Sequence, residues 1–198
     1  MNLVTENILD RPEVILILTD YAASFENHRN YKNYKNFEKR LENYKAFHIV
    51  KNDNDEIMCF AGIYKDPFWP NNILRVCDRM FTFPKFRVNK LGSYNSPTRQ
   101  RGYKKEGLLT SNILPLQVKL VQEWGAVSFA SVQDLRRRPA FKSWLETRVD
   151  PNLGLKLLPK LYFTCGDSNI NNKKCWQNIA ATEEVDLPSI SFEDYRRL

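Results

Sequence analysis

The chain has 198 residues, of which 42% are hydrophobic and 27% charged, and its formal net charge is +7. This length and composition are typical of one globular domain, and no stretch approaches the roughly 18 apolar residues that a transmembrane helix needs. Because the first ten residues lack the basic start and apolar centre of a signal peptide, we expect a cytoplasmic protein without membrane association.

The N-terminal quarter predicts two helices. Apolar residues recur every three or four positions from Val14 to Phe25, which predicts a helix from about residue 11 to 26. A second amphipathic stretch runs from Tyr31 to Tyr44, with lysines and arginines between its aromatic residues. Alternating aromatic and basic residues can also stack on nucleic acid, but the helical spacing favours packing against a core.

A β-hairpin and a long strand follow. Residues 46–50 and 57–64 are apolar runs separated by an Asn- and Asp-rich turn, which predicts the hairpin. Its second strand is apolar on both faces, as expected for a central strand. The next strand, residues 73–83, loses its alternation at the adjacent polar pair Asp78 and Arg79, where we expect a bulge or a functional feature.

Most of the excess charge lies in residues 85–107, which hold seven basic residues and one acid. This segment has no sustained periodicity, so it predicts a long loop, and loops of this length are usually functional or disordered. Its positive field would attract phosphate groups of a cofactor or of a nucleic acid. A solvated basic loop without a ligand is the alternative.

The remaining chain alternates helices and strands. We expect a helix with Asn112 as its N-cap and Pro115 in its first turn, and another opened by Pro139. The predicted strands are residues 126–132, 155–165 with an interruption at Pro159, and 175–181. A polar, partly acidic tail, residues 182–198, would be loosely attached to a single domain of residues 1–181.

The four cysteines do not predict a metal site. Cys59, Cys77, Cys165 and Cys175 are widely spaced, and no pair has the short gap that a tetrahedral zinc site commonly uses. We therefore expect free thiols and no bound metal. Cys59 and Cys77 lie in apolar runs, where a free cysteine behaves as a small hydrophobic residue.

Three segments carry a family resemblance. Residues 79–87 are similar to a fourth strand that ends in a proline and then an arginine leading into a pyrophosphate loop. Residues 87–92 resemble the signature [QR]-x-x-G-x-[GA], with Lys90 in place of the first glycine. Residues 125–144 are similar to a fifth strand followed by a fourth helix. With this order of elements, the chain resembles the GNAT superfamily of N-acetyltransferases.

The resemblance implies an α/β (α+β) domain with a mixed, mostly antiparallel sheet flanked by helices. It implies acetyl-CoA as co-substrate, held in a gap between the strands at 73–83 and 126–132, and direct attack of a small-molecule or protein amine on the thioester. The residues that it implies for cofactor binding are the backbone of Phe81, Thr82 and Phe83 and the phosphate loop of Arg87, Lys90 and Gly92.

The phosphate loop departs from the family pattern. Lys90 weakens the backbone site that two glycines would form, but it adds a mobile cation. About 19 residues separate Gly92 from Asn112, whereas the family's helix follows at once. A second register, residues 99–104, lies nearer the helix, and the sequence does not decide between the two.

Asp78 is the predicted catalytic base, because a carboxylate flanked by apolar residues can have a raised pKa. The alternative is an ion pair of Asp78 with Arg75 or Arg79. The two histidines, His28 and His48, are interpreted as structural. Trp144 stands where many family members carry a tyrosine acid, and an indole cannot donate that proton.

Other functions stay open at this point. The chain could be a catalytically silent GNAT-like protein that serves interaction or virion assembly, since a fold does not dictate a function. Residues 85–107, with Tyr94 and Tyr103, could instead bind nucleic acid. The abundance of Asn, Lys and aromatic residues is similar to that of divergent GNAT-like chains of tailed bacteriophages, which would place the protein in the host cytoplasm or in a virion.

Overall fold

The computed structural model of the chain describes residues 3–26, 37–67, 69–86, 107–132, 138–163 and 176–197. The helices in these ranges are α1 (Pro12–Glu26), α2 (Phe37–Leu41), α3 (Leu114–Glu123), α4 (Arg138–Arg148) and α5 (Phe192–Arg196). The strands are β1 (Val4–Asn7), β2 (Tyr44–Lys51), β3 (Ile57–Tyr64), β4 (Ile73–Thr82), β5 (Val127–Val132), β6 (Lys156–Phe163), β7 (Trp176–Ala181) and β8 (Ser189–Ser191).

These strands form one eight-stranded sheet within the described ranges, in the order β1-β2-β3-β4-β5-β7-β6-β8. Every neighbouring pair is antiparallel except β4 and β5, which are parallel. Helix α3 connects the two parallel strands, as a parallel pair requires a crossover. The predicted α/β fold with a mixed, mostly antiparallel sheet flanked by helices is therefore confirmed.

Helices cover both faces of the sheet. On one face, Val118 of α3 and Leu145 of α4 pack with small and branched side chains of the central strands, such as Ala130. On the other face, Ile15 of α1 packs against an aromatic layer that includes Phe60. Strand β3 is buried along most of its length because both layers cover it, which explains its continuous apolar run.

Two predictions about helix boundaries need correction. Tyr44 does not continue a helix, because it is the first residue of β2, and the described helical part of that stretch is α2. Asn112 is not an N-cap. A single π-helical turn, Leu109–Ile113, precedes α3, and the Asn112 amide donates to the Leu108 carbonyl at 2.9 Å. Pro115 lacks an N–H and would crowd the carbonyl four residues before it, so a wider turn relieves the contact.

Two edge strands were missed from the sequence. Strand β1 pairs with β2, and β8 pairs with β6 between Ser189 and Tyr162. Both are too short to show a period. The predicted loose tail is instead held to the sheet by β8 and to α4 by Phe192, whose ring lies 5.8 Å from the guanidinium of Arg138.

Candidate functional site

The parallel strands β4 and β5 pair over only three residues. Their ladder runs from Ile73 opposite Val127 to Arg75 opposite Phe129 and stops there. Strand β4 continues for seven more residues, to Thr82, with β3 as its partner. Strand β5 continues with β7 as its partner. The facing edges beyond Arg75 and Phe129 are thus not paired with each other, and the region between these two edges is the candidate cleft.

The closed end of the cleft is fixed by a stack of three side chains. The rings of Trp69 and Phe129 stack at 4.2 Å between centroids, and the guanidinium of Arg75 lies 5.3 Å from the Phe129 ring on the last pair of the ladder. A cation over an aromatic face is attractive, and burial strengthens the attraction. This stack defines where the two strands begin to separate.

Strand β4 carries a double bulge beside the cleft. Gly62 of β3 lies opposite Asp78, and on each side of this pair two residues of β3 face three of β4. Cys77 and Arg79 both have φ of 53°, in the left-handed region that non-glycine residues avoid at about 1–2 kcal/mol each. The bulge predicted at Asp78 and Arg79 is confirmed, and it directs Asp78 into the face covered by α1 and α2.

Asp78 is held by a buried polar cluster on that face. Its carboxylate accepts the hydroxyl hydrogen of Tyr44, and it lies 3.4 Å from Arg75 Nη1 and 3.9 Å from Arg40 Nη2. Arg75 also lies 3.7 Å from Asp66. Because only 7% of Asp78 is exposed, these contacts replace its hydration, and the ion pair with Arg75 predicted as the alternative to a base is present.

The electrostatics do not suit Asp78 to the role of a base. Burial raises the pKa of the Asp78 carboxyl, but the charges of Arg40, Arg75 and Arg79 and the hydrogen bond from Tyr44 outweigh it, so the pKa lies below its usual value. The raised pKa expected from the sequence is therefore wrong. The cluster stabilises the ionised carboxylate and, through it, the bulge.

The opposite face of the bulge is held by Gln117 of α3. Its side-chain oxygen accepts the backbone N–H of Cys77 at 2.7 Å, and its amide nitrogen lies 3.0 Å from the Ala61 carbonyl and 3.2 Å from His48 Nδ1. Each such bond contributes about 0.5–1.5 kcal/mol. Together with the Asp78 cluster, these bonds are of the size needed to offset the strain at Cys77 and Arg79.

The residues expected to bind the cofactor divide into two groups. Phe81 is buried in the aromatic layer, so only its backbone is available, while Thr82 and Phe83 are half-buried at the end of β4. The backbone of this stretch is bonded to β3 on one edge and is not paired with β5 on the other. Arg87, Lys90 and Gly92 lie outside the described residues.

Trp144, His48 and Cys59 are packed in the interior or against it. The Trp144 ring stacks on Phe141 at 5.7 Å and packs against the core on the α3 side. His48 is buried, and burial lowers its pKa to about 4, so the ring is neutral at physiological pH. Burial raises the pKa of the Cys59 thiol to about 12, which keeps it protonated. His28 lies outside the described residues.

Gln117, Tyr44 and Gly62 were not singled out from the sequence. Gln117 and Gly62 each left a signal in the local sequence. Gln117 is polar on the apolar stripe of α3, and Gly62 interrupts an apolar strand, where glycine often marks a close approach. Tyr44 was obscured by its helical spacing from the preceding aromatic residues.

The described part of the chain contains neither a cluster of metal-binding side chains nor a membrane-spanning helix. Among its residues, no three His, Cys, Asp or Glu side chains are grouped closely enough to share a metal ion. None of the helices in these ranges has both the length and the hydropathy of a transmembrane segment.

Known proteins are similar to this chain in structure but not in sequence. No family model matches the sequence, and no match was found among curated proteins. Several solved structures are similar. One is a Salmonella typhimurium protein assigned as an acetyltransferase and solved with its cofactor acetyl-CoA; it has 10% identity and a TM-score of 0.51, with 94% of this chain and 97% of that chain covered.

Two further structures have the same architecture. The Escherichia coli ribosomal-protein-S18-alanine N-acetyltransferase has 13% identity and a TM-score of 0.50, with 96% of each chain covered. Aminoglycoside 6'-acetyltransferase type Ii has 13% identity and a TM-score of 0.51, with 95% of this chain and 100% of that chain covered. At this identity, the likeness concerns the fold.

Proposed function

From the GNAT fold of this chain, we propose that it is an acyl-CoA-dependent N-acetyltransferase that transfers an acetyl group to an amine by direct attack on the thioester. The observation that carries the proposal is the cleft where β4 and β5 separate, with a strained double bulge on its β4 wall. Strained backbone that the surrounding structure holds in place is common at sites of chemistry.

Acetyl-CoA would lie along β4 beyond the end of its ladder with β5. The backbone of Phe81, Thr82 and Phe83, at the end of this stretch, would hydrogen-bond the pantetheine arm. The chain leaves β4 at the open end of the cleft and enters the helical segment before α3 after the basic stretch. Arg87, Lys90 and Gly92 in that stretch would hold the diphosphate.

The reaction needs little covalent chemistry from the protein. Backbone N–H groups at the bulge would stabilise the negative charge that develops on the thioester oxygen. The amine nitrogen attacks the carbonyl carbon, the C–S bond breaks, and coenzyme A leaves as a thiolate. The nitrogen loses one proton to water, and the thiolate takes one from water, because Trp144 cannot supply it.

Asp78 would act in this scheme by holding the bulge. Its lowered pKa and its contacts with Tyr44, Arg40 and Arg75 leave it a weak base at neutral pH. The acceptor is an amine on a small molecule or on a protein. The two similar enzymes named above act on a ribosomal protein alanine and on an aminoglycoside.

The proposal is tested by incubating the protein with acetyl-CoA and a panel of amines, and by measuring free coenzyme A and acetylated amine by mass spectrometry. We expect equal amounts of both products with at least one acceptor class. Tight binding of acetyl-CoA without any product would instead favour the second candidate, a catalytically silent binding protein. The packing of Trp144 against Phe141 and the ion-paired state of Asp78 favour that candidate.

A further inference from the structure

Gln117 is a fully buried polar residue on the apolar face of α3. Its neighbours on that face, Leu114, Val118 and Val121, are also fully buried and pack on the sheet. A buried amide is costly unless its donor and acceptor groups are all satisfied. The contacts of Gln117 therefore show what this position does.

The orientation of the Gln117 amide is fixed by its partners. The N–H of Cys77 can only donate, so the atom 2.7 Å from it is the amide oxygen. The carbonyl of Ala61 can only accept, so the atom 3.0 Å from it is the amide nitrogen. The second hydrogen on that nitrogen is donated to His48 Nδ1 at 3.2 Å, which places the proton of the neutral ring on Nε2.

These three bonds connect α3 with three adjacent strands. His48 belongs to β2, Ala61 to β3 and Cys77 to β4, at the first left-handed residue of the double bulge. The N–H of Cys77 therefore points toward α3, out of the plane of the sheet, and takes no part in a strand ladder. Asp78, the next residue, is held from the opposite face by Tyr44.

We propose that Gln117 is a positioning residue, which holds the peptide of Cys77 turned toward α3 and so keeps the neighbouring backbone groups of the bulge aligned with the cleft. This inference rests on the proposed function, because the aligned groups are those that would contact the thioester oxygen. Gln117 touches no reacting atom itself. It couples α3, the helix that follows the basic segment in the sequence, to the proposed reaction centre.

A leucine at position 117 has a similar volume but no hydrogen-bonding group. In Gln117→Leu, the N–H of Cys77 and the carbonyl of Ala61 lose their bonds to the side chain, and only the Asp78 cluster on the opposite face still opposes relaxation of the strained bulge. The same substitution at Gln122, an exposed residue of the same helix, is the matched control.

Two measurements test the proposal. Hydrogen exchange should be about ten-fold faster or more in β4 of Gln117→Leu than in β4 of Gln122→Leu, with α3 unchanged. With an acceptor in hand, kcat should fall about 100-fold, as when an oxyanion donor is lost, while the Kd for acetyl-CoA changes less than about three-fold.

The outcomes separate this inference from the proposed function. If the unaltered protein binds no acetyl-CoA, the proposed function fails, and the exchange data still decide whether Gln117 holds the bulge. Unchanged exchange in β4 overturns the inference, and so does an equal loss of affinity and kcat. If Gln117→Leu does not fold, exchange of the Cys77 amide is measured in the unaltered protein by NMR. Slow exchange supports the bond to Gln117, and fast exchange overturns it.

Discussion

The ring of Tyr44 occupies the space that a side chain at Gly62 would need. A Cβ added to Gly62 would lie 2.2 Å from Tyr44 Cε1 and 2.5 Å from Cδ1. Since Gly62 lies opposite Asp78 in the ladder, the missing side chain lets the Tyr44 ring lie flat on β3 and reach the Asp78 carboxylate. One glycine thus makes room for the group that holds the bulge.

Gly62→Ala should therefore destabilise the protein. The Tyr44 ring is confined by Phe47 and Tyr64, with centroids at 5.5 and 5.1 Å, so it cannot move aside without repacking. We expect a loss of about 2–3 kcal/mol in the free energy of unfolding, measured with urea. Gly107→Ala is the control, because its nearest neighbour is Thr110 Oγ1 at 3.7 Å. Equal unfolding midpoints for the two variants would refute the steric account.

Asp78→Asn should remove stability in a pH-dependent way. The variant removes the buried negative charge that lies between Arg40 and Arg75, which costs about 3–5 kcal/mol at pH 7. Because the pKa of Asp78 in the folded protein lies below the usual value of 3.8, the carboxylate contributes its full stability above that value and loses it as pH falls through the folded pKa.

The measurement for Asp78 is the difference in unfolding free energy between wild type and variant from pH 7 to pH 2.5. It should be constant down to about pH 5 and shrink below about pH 4. Tyr44→Phe is the control: it removes one hydrogen bond, about 1–2 kcal/mol, and keeps the charge, so the acid dependence should remain. A difference that does not change with pH would mean that Asp78 is not ionised in the folded protein.

His48 should titrate far below an ordinary histidine. Burial lowers its pKa from 6.5 to about 4. Between pH 6.5 and about 4, the unfolded chain therefore binds a proton at His48 that the folded chain does not. The free energy of unfolding falls by up to about 3 kcal/mol as the pH is lowered through this range.

NMR titration of the His48 ring, assigned by its absence in His48→Gln, checks this prediction directly. The midpoint should lie near 4, and the variant should lack the corresponding fall in stability. A midpoint near 6.5 would show that the ring is hydrated and not bonded to Gln117 in the way described.

Arg138 should hold together β7 and β6, the strands that follow β5 in the sheet. Its guanidinium donates to Asn178 Oδ1 of β7 at 2.9 Å and to the carbonyls of Leu158 and Pro159 of β6 at 2.9 and 3.2 Å. A lysine cannot span these acceptors, so Arg138→Lys should cost about 1–2 kcal/mol of unfolding free energy. Arg197→Lys, which changes only an exposed pair with Asp194 at 3.9 Å, should cost less than about 0.5 kcal/mol. Similar losses of unfolding free energy in the two variants would show that Arg138 does not bridge β6 and β7.

Local patterns were enough to predict most of the fold. The apolar run of β3, the break at Asp78 and Arg79, and the interruption at Pro159 each appear in the structure as a central strand, a double bulge and a shift of register in β6. These features depend on a few neighbouring residues, so a sequence window contains them.

The contacts that hold the site could not be predicted in the same way. Tyr44 and Asp78 are 34 residues apart, and Gln117 and His48 are 69 apart. Their proximity follows from the order of strands in the sheet, which local periodicity does not specify. Long-range pairing also contributes to the lowered pKa of Asp78, because Arg40 comes from α2, whereas Arg75 and Arg79 lie on the same strand as Asp78.

Calorimetric titration of the protein with acetyl-CoA tests whether the cleft beside the double bulge binds the cofactor. We expect saturable binding at one site, weakened about ten-fold by Arg87→Ala. Lys85→Ala makes the same change of charge at a residue whose ammonium pairs with Glu56, and it should leave the affinity within about two-fold. Absence of binding up to about millimolar acetyl-CoA would contradict the claim.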